Sequence, residues 1–308
     1  MNRRDFLKLA LGTIAVGATV GLKSPVYAAG NPPVVLCLGW DAMDYRSATQ
    51  LLNAGQLPNL GQLNLHRLLA WPGNTVTKPG WAEIETGLPI PVTGIIDNTI
   101  YNSKILGGWT IYGLLRKAYP NCWLSTIHSK IAHTGDRIVN NQKEPFYFLK
   151  KWALGGGMDR YVSPSTLKLT AGLTIAQTHG FLLEHINSYL QSGKTGGLIF
   201  AHFKEPDEFG HLYGMGSSQW NDSVVQLDQI LGEAVALLNP GSIFVISDHG
   251  FNAFGLKSHS NAPLGIIASN VPLKDDGIRC DFPPTLLALT GITPDGSTPA
   301  LYGKSLLL

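Results

Sequence analysis

Val34-Val35-Leu36-Cys37-Leu38-Gly39-Trp40-Asp41 is the stretch that decides the fold: seven apolar or small residues in succession, ended by a carboxylate. A short run without polar alternation reads as a strand buried on both faces, the habit of parallel sheets. Outward from it, Cys122 to Ile127, Gly197 to Phe203, Ser242 to Ser247 and Leu264 to Ala268 have the same character. Between them Tyr45 to Asn53, Ile175 to Gln191 and Gln219 to Leu238 carry helical patterns. Such alternation predicts an α/β fold, a doubly wound, mostly parallel sheet with helices on both faces. No repeat or linker marks a second domain. The polar stretch from Thr134 to Thr170 is the expected excursion, a small cap or loop within 134–170.

The chain has 308 residues and is 44% hydrophobic, enough for a sizeable core. Its first residues do not belong to that core. Arg3-Arg4 precedes an apolar stretch from Leu9 to Leu22, and Val26-Tyr27-Ala28 supplies small residues for a peptidase. The pattern resembles a Tat export signal over residues 1–28, which implies the Tat machinery as a partner and a periplasmic or extracellular destination. A retained membrane anchor is the alternative, but the glycine-interrupted run is short for a span. Cleavage after Ala28 removes Arg3, Arg4, Lys8 and Lys23 against Asp5, so the formal +2 becomes −1 over 29–308. A nearly neutral chain has no general pull toward nucleic acid, and no later stretch spans a bilayer. Cys37, Cys122 and Cys280 lack metal-type spacing; Cys37 reads as a packing residue, and Cys122 and Cys280 are candidates for a disulfide.

In doubly wound sheets ligand sites collect where strands end. Asp41 follows the first strand, Glu205-Pro206-Asp207-Glu208-Phe209-Gly210-His211 follows the third, and Asp248-His249-Gly250 follows the fourth. His259 sits in a polar loop before the last strand. Singly, each has an ordinary explanation as a cap, a turn or a surface residue. Together, three carboxylates and three imidazoles on one edge need cations to offset their repulsion. The mixed oxygen and nitrogen donors suit zinc, with manganese or iron as alternatives. Upstream, Thr77-Lys78-Pro79-Gly80 reads as a loop entering a helix, where free N–H groups favour an anion. Thr77 is then either an N-cap or a nucleophile.

These residues resemble a family. Thr77-x-Pro79, Thr86-Gly87-Leu88, Gly94-Ile95-Ile96-Asp97-Asn98 and Tyr101 look like the nucleophile region of nucleotide pyrophosphatase/phosphodiesterases of the alkaline-phosphatase superfamily. Glu205-Pro206-Asp207-x-x-Gly210-His211 and Ser247-Asp248-His249-Gly250 resemble its later metal motifs, and Pro283 to Gly291 with Gly303-Lys304-Ser305-Leu306 its closing segment. The resemblance implies one catalytic domain over 29–308 that hydrolyses a small-molecule phosphate ester with two divalent ions. One ion would be held by Asp41, Asp248 and His249 with Thr77, the other by Asp207, His211 and His259, with His202 as the rival to His259. Thr77 would form a phospho-threonine, Asn98 would donate to the phosphoryl oxygens, and the Lys78 N–H would be a second donor.

Two departures bear on chemistry. Lys78 and Gly80 flank Pro79 where the family has an aromatic residue and an asparagine, so a phosphomonoester is an alternative to a diester, the Lys78 side chain either binding its extra charge or facing solvent. Threonine cannot become formylglycine, and Trp81 stands where sulfatases place arginine, which argues against a sulfatase; a phosphoglycerate-mutase-like isomerase lacks its large insert here. The competing class is a non-catalytic exported metal-binding protein, which would need neither Thr77 nor Asn98. Glu83 and Glu85 either support the ligands from behind or lie on a solvated helix face. His128 and His133, around Lys130, are candidates to line the substrate side.

Overall fold

Strand β1 (Val34–Trp40) deals its side chains alternately to two apolar clusters, Leu36, Leu38 and Trp40 to one and Val35 and Cys37 to the other. Its neighbours β6 (Gly197–Phe203) and β7 (Ser242–Ile246) run parallel to it and divide the same way, Ala201 and Val245 facing one cluster, Phe200 and Phe244 the other. The continuous apolar runs thus have a direct cause: both faces are covered. On the first face lie α1 (Tyr45–Asn53), α5 (Ile175–Gln191) and α7 (Ser218–Leu238), through Leu51, Leu182 and Leu227. On the second lie α2 (Thr77–Thr86), α4 (Ile111–Ala118) and α8 (Phe282–Leu289), through Ile84, Leu115 and Leu286.

This computed structural model describes residues 32–70, 74–98, 105, 109–130, 137–139, 142–144, 173–252, 255–274, 276–294, 296 and 299–308. The expected signal segment, Tyr101, His133 and the expected cap lie outside the described residues, apart from the short antiparallel pair β4 (Arg137–Val139) and β5 (Gln142–Glu144) within the latter. Among the described residues no helix is long and apolar enough to cross a membrane. No disulfide joins Cys122 to Cys280: both are buried, and the Cys122 thiol lies 3.9 Å from the Leu115 carbonyl.

The main sheet has seven strands in the order β3-β6-β1-β7-β8-β2-β9, with β3 at Trp123–His128, β2 at Asn64–Leu69, β8 at Leu264–Ser269 and β9 at Gly277–Ile278. The expected doubly wound, mostly parallel sheet is present. The sequence pattern does not reveal that β8 runs antiparallel to both β7 and β2. That reversal matters for the site. The loop leading into β8 hangs over the edge where β1, β6 and β7 end, so His259 reaches residues that follow those strands. Helix starts follow local chemistry: the Asp44 carboxylate caps α1 through the N–H groups of Arg46 and Ser47 at 3.0 and 3.2 Å, and Ser217 caps α7.

Candidate active site

Asp41 leaves the end of β1 fully buried. Ala42 next to it adopts a left-handed backbone with φ 58°, unusual for a residue with a Cβ, and this turns its N–H onto Asp248 Oδ1 at 3.2 Å. Asp248 and His249 follow β7, also fully buried. The His249 Nδ1 is held by the Gly250 carbonyl at 3.0 Å, while its Nε2 lies 3.3 Å from Asp248 Oδ2 and 3.8 Å from Asp41 Oδ1. A second cluster comes from α6 (Glu205–Tyr213), whose Asp207 and His211 lie one helical turn apart on one face. His211 Nε2 and His259 Nε2 are each 3.4 Å from Asp207 Oδ1 and 3.0 Å from one another, three donor atoms aimed at one point. The His259 ring stacks on His249 with centroids 4.2 Å apart, which joins the clusters.

Among the described residues two groups of side chains bring their donor atoms within 4.8 Å of one another: Asp41, Asp248 and His249, and Asp207, His249 and His259. His249 is common to both; His211 adjoins the second. A metal fits these residues on one observation in particular. Asp41 Oδ1, Asp207 Oδ1, Asp248 Oδ2 and His249 Nε2 are buried atoms without a hydrogen-bond partner, and an unsatisfied buried polar atom costs about 1–3 kcal/mol, more when charged. Four such atoms in one place form a donor set that a cation would satisfy.

The electrostatics agree. Burial, aided by the charge of Asp41, drives the Asp248 carboxyl well above the usual carboxylate range. Burial is the largest influence on Asp41 and Asp207 too and works to raise them, but the Lys130 ammonium together with neighbouring histidines, His202 at Asp41 and His211 and His249 at Asp207, outweighs it and both are lowered. Burial pushes His249 down to about 4, so it presents a neutral imidazole. His211 is raised, chiefly by its contact with Asp207.

Thr77 is the first residue of α2 and is 4% exposed; the helix is preceded by Val76, which offers no side-chain cap. The first turn packs closely on the buried cluster, and a Cβ on Gly80 would meet Asp248 Cβ at 2.9 Å. Glycine at 80 is what allows the approach. The Lys78 N–H donates to Asn98 Oδ1 at 2.9 Å, so the N–H expected as a second phosphate donor is engaged by Asn98 instead, a bond that uses only the amide oxygen of Asn98. The Lys78 side chain is buried, not directed to solvent.

Lys130 and Arg279 were given no role by the sequence, whereas Glu83, His202 and His128 were weighed there. Lys130, just beyond β3, places Nζ 2.8 Å from Asp41 Oδ2, against Asp207 Oδ2, and 3.4 Å from Thr77 Oγ1. The rule of looking just past each strand finds it if cations are counted with ligands. Glu83, one alternative for which was a solvated face, is buried and paired with Arg279 at 2.7 and 2.6 Å; Arg279 also donates to the Asp248 carbonyl at 3.1 Å. His202 supports Asp41, its Nε2 3.2 Å from Oδ2, as a strand residue behind the ligand. His128 is buried against Thr126 at 2.8 Å, below the site rather than along a substrate path.

Solved structures share this architecture. The alkaline phosphatase of the Antarctic bacterium TAB5 superposes with a TM-score of 0.58 at 13% identity, over 86% of this chain and 99% of that one. Murine ectonucleotide pyrophosphatase/phosphodiesterase 5 superposes with a TM-score of 0.54 at 14% identity, over 84% of this chain and 95% of that one. An inactive form of the murine protein in complex with AMP gives a TM-score of 0.54 at 14% identity, over 86% and 96%. No curated protein matches the chain in sequence. At these identities the neighbours speak for the fold alone. The family model for type I phosphodiesterase / nucleotide pyrophosphatase matches residues 35–297, a span that takes in every strand and ligand group described above. By that match the chain belongs to the type I phosphodiesterase / nucleotide pyrophosphatase family and is a phosphoester hydrolase.

Proposed function

We infer that the chain cleaves phosphodiesters through a covalent phospho-threonine on Thr77, with two divalent cations, zinc by its donor set, held by Asp41, Asp248 and His249 and by Asp207, His211 and His259. The observation that carries this reading is the set of partnerless buried donor atoms next to a buried threonine at the start of a helix. Cations bound there would lower the pKa of a hydroxyl and neutralise charge on both sides of an in-line displacement.

The chain's own residues then divide the work. Thr77 Oγ1 forms a bond to phosphorus as the ester P–O bond breaks; water later cleaves the Oγ1–P bond and restores the hydroxyl. In the first turn of α2 Pro79 has no N–H and those of Lys78 and Gly80 are engaged by Asn98 and the Val76 carbonyl, so the helix offers the phosphoryl oxygens the positive end of its dipole rather than a set of free donors. Asn98, whose Oδ1 is engaged by the Lys78 N–H, keeps its amide hydrogens for those oxygens. His202 and the Ala42 N–H hold Asp41 and Asp248 in orientation. The AMP complex of the murine relative supports trying nucleotide diesters as substrates.

The purified 29–308 protein is assayed on nitrophenyl phosphate and bis-nitrophenyl phosphate with and without chelator. Turnover of the diester that chelation abolishes is expected, and Thr77→Ala lowers it by roughly 10³-fold or more while zinc content stays unchanged. Asn98→Ala costs about 3 kcal/mol of barrier. Diester turnover by Thr77→Ala at the parent rate refutes the covalent route. Export is part of the same reading, supported by Arg3-Arg4 and the apolar stretch after them; fractionation with N-terminal sequencing should find mature protein beginning near Ala29 outside the cytoplasm, and full-length protein in the cytosol would refute it.

A further inference from the structure

The amine of Lys130 stands where the two ligand clusters meet. It takes one oxygen from each, Oδ2 of Asp41 at 2.8 Å and Oδ2 of Asp207, and leaves Oδ1 of both without a hydrogen-bond partner. The carboxylates it bridges belong to different donor groups, Asp41 with Asp248 and His249, Asp207 with His249 and His259. It is therefore centred between the two, and a single ammonium there serves one buried carboxylate of each. Arg279, another cation near the site, cannot take this role: it is buried and committed to Glu83 through two nitrogens.

Lys130 differs from Arg279 in being able to leave. Its side chain is 26% exposed and rises on a flexible four-carbon stem from the residues after β3. An ammonium and a dication placed against the same two carboxylates repel one another, and the doubly charged ion has the stronger attraction for the oxygens. We propose that Lys130 is a tethered counter-cation of the site, neutralising Asp41 and Asp207 in the metal-free chain and surrendering both when divalent cations bind. Metal affinity is then a net quantity, the ion's attraction less the two ion pairs it displaces. The metal-free fold is held together by a charge the chain carries itself. The inference rests on the metal-dependent reading above and concerns a residue to which that reading gives no part.

The test uses Lys130→Met and Lys130→Arg in the 29–308 protein, with zinc affinity measured by competition against a chromophoric chelator and melting temperature measured with and without zinc. Lys130→Met should bind zinc at least about tenfold more tightly, since about 1.4 kcal/mol of displaced pairing suffices for that factor. Its metal-free form should melt roughly 5 °C or more below the parent, because two buried carboxylates have lost their partner. Zinc should close most of that gap. Lys130→Arg, which keeps the charge, should melt near the parent when metal-free. Unchanged or weaker zinc affinity in Lys130→Met, or a metal-free melting temperature at or above the parent's, overturns the proposal. Should Lys130→Met not survive metal removal, survival of Lys130→Arg supports it, and loss of both shows that the amine's shape rather than its charge matters and overturns it. A parent protein that takes up no zinc, manganese or iron instead sinks the metal-dependent function, a separate outcome.

Discussion

The two donor clusters are built in opposite ways. Asp41, Asp248 and His249 sit directly on strand ends, with side chains at 0% exposure and orientation fixed by His202, the Ala42 N–H and the Gly250 carbonyl. Asp207, His211 and His259 come from a helix and a loop, and the His211 side chain is 45% exposed. The first cluster is preorganised by the sheet and cannot relax; the second can be rebuilt from solvent. Rigid elements hold ligands more accurately than loops do, so the buried cluster should set the catalytic geometry and the open one should exchange its ion and admit substrate.

The largest test of that contrast is a matched pair of substitutions. Asp248→Asn should abolish ion binding in the buried cluster and cut turnover by about 10³-fold, as loss of a central electrostatic element does. His211→Asn should cost less metal affinity than Asp248→Asn, recoverable by excess zinc, because water can take the exposed position. Equal losses that zinc does not restore would erase the distinction. Chelation sharpens it further: with limiting chelator, metal analysis over time should show a fast and a slow phase, and Asp248→Asn should lose the slow one. A single phase in the parent would mean that the clusters empty together.

Smaller effects probe the backbone. Gly80→Ala would set a Cβ 2.6 Å from an Arg279 nitrogen and 2.9 Å from Asp248 Cβ, and Gly210→Ala would set one 2.4 Å from the Phe251 ring. Each should cost about 1–3 kcal/mol in stability measured by denaturant melts. Turnover should fall further in Gly80→Ala, since only there is the neighbour a preorganised ligand. The smallest effect belongs to Ala42→Gly, which relieves the left-handed strain at a backbone-entropy cost and should change stability by no more than about 1 kcal/mol, in the stabilising direction. A loss above that range would show that the alanine methyl, not the backbone turn, holds Asp41.

Much of this was legible in the sequence because burial on both faces leaves an unbroken apolar run, as in β1 and β6. Strand β2 was not: Asn64-Leu65-His66-Arg67-Leu68-Leu69 lies near the sheet margin, where Arg67 meets Asp276 in solvent and the alternation is lost. Two-residue β9 is too short to have a pattern, and so Arg279 directly after it escaped notice. The metal-type ligands stood out because acids and histidines right after apolar strands are costly without a partner. Lys130 and Arg279 did not, and Glu83 was left between support and solvent, since a charged residue on a helix or loop ordinarily faces water and only tertiary packing brings these three together. The reversal of β8 is also invisible locally, because the run Leu264 to Ala268 reads the same in either direction.

The Glu83–Arg279 pair ties the helix that begins with Thr77 to a residue nearly two hundred positions later. During synthesis the first half of the sheet has α2 but not the cation that compensates its buried glutamate, and a lone carboxylate in that interior is strongly unfavourable. Thr77, at the start of that helix, should therefore lock into place only after almost the whole polypeptide has left the ribosome. A nascent or C-terminally clipped chain would have its phosphate-cleaving machinery disarmed by its own connectivity.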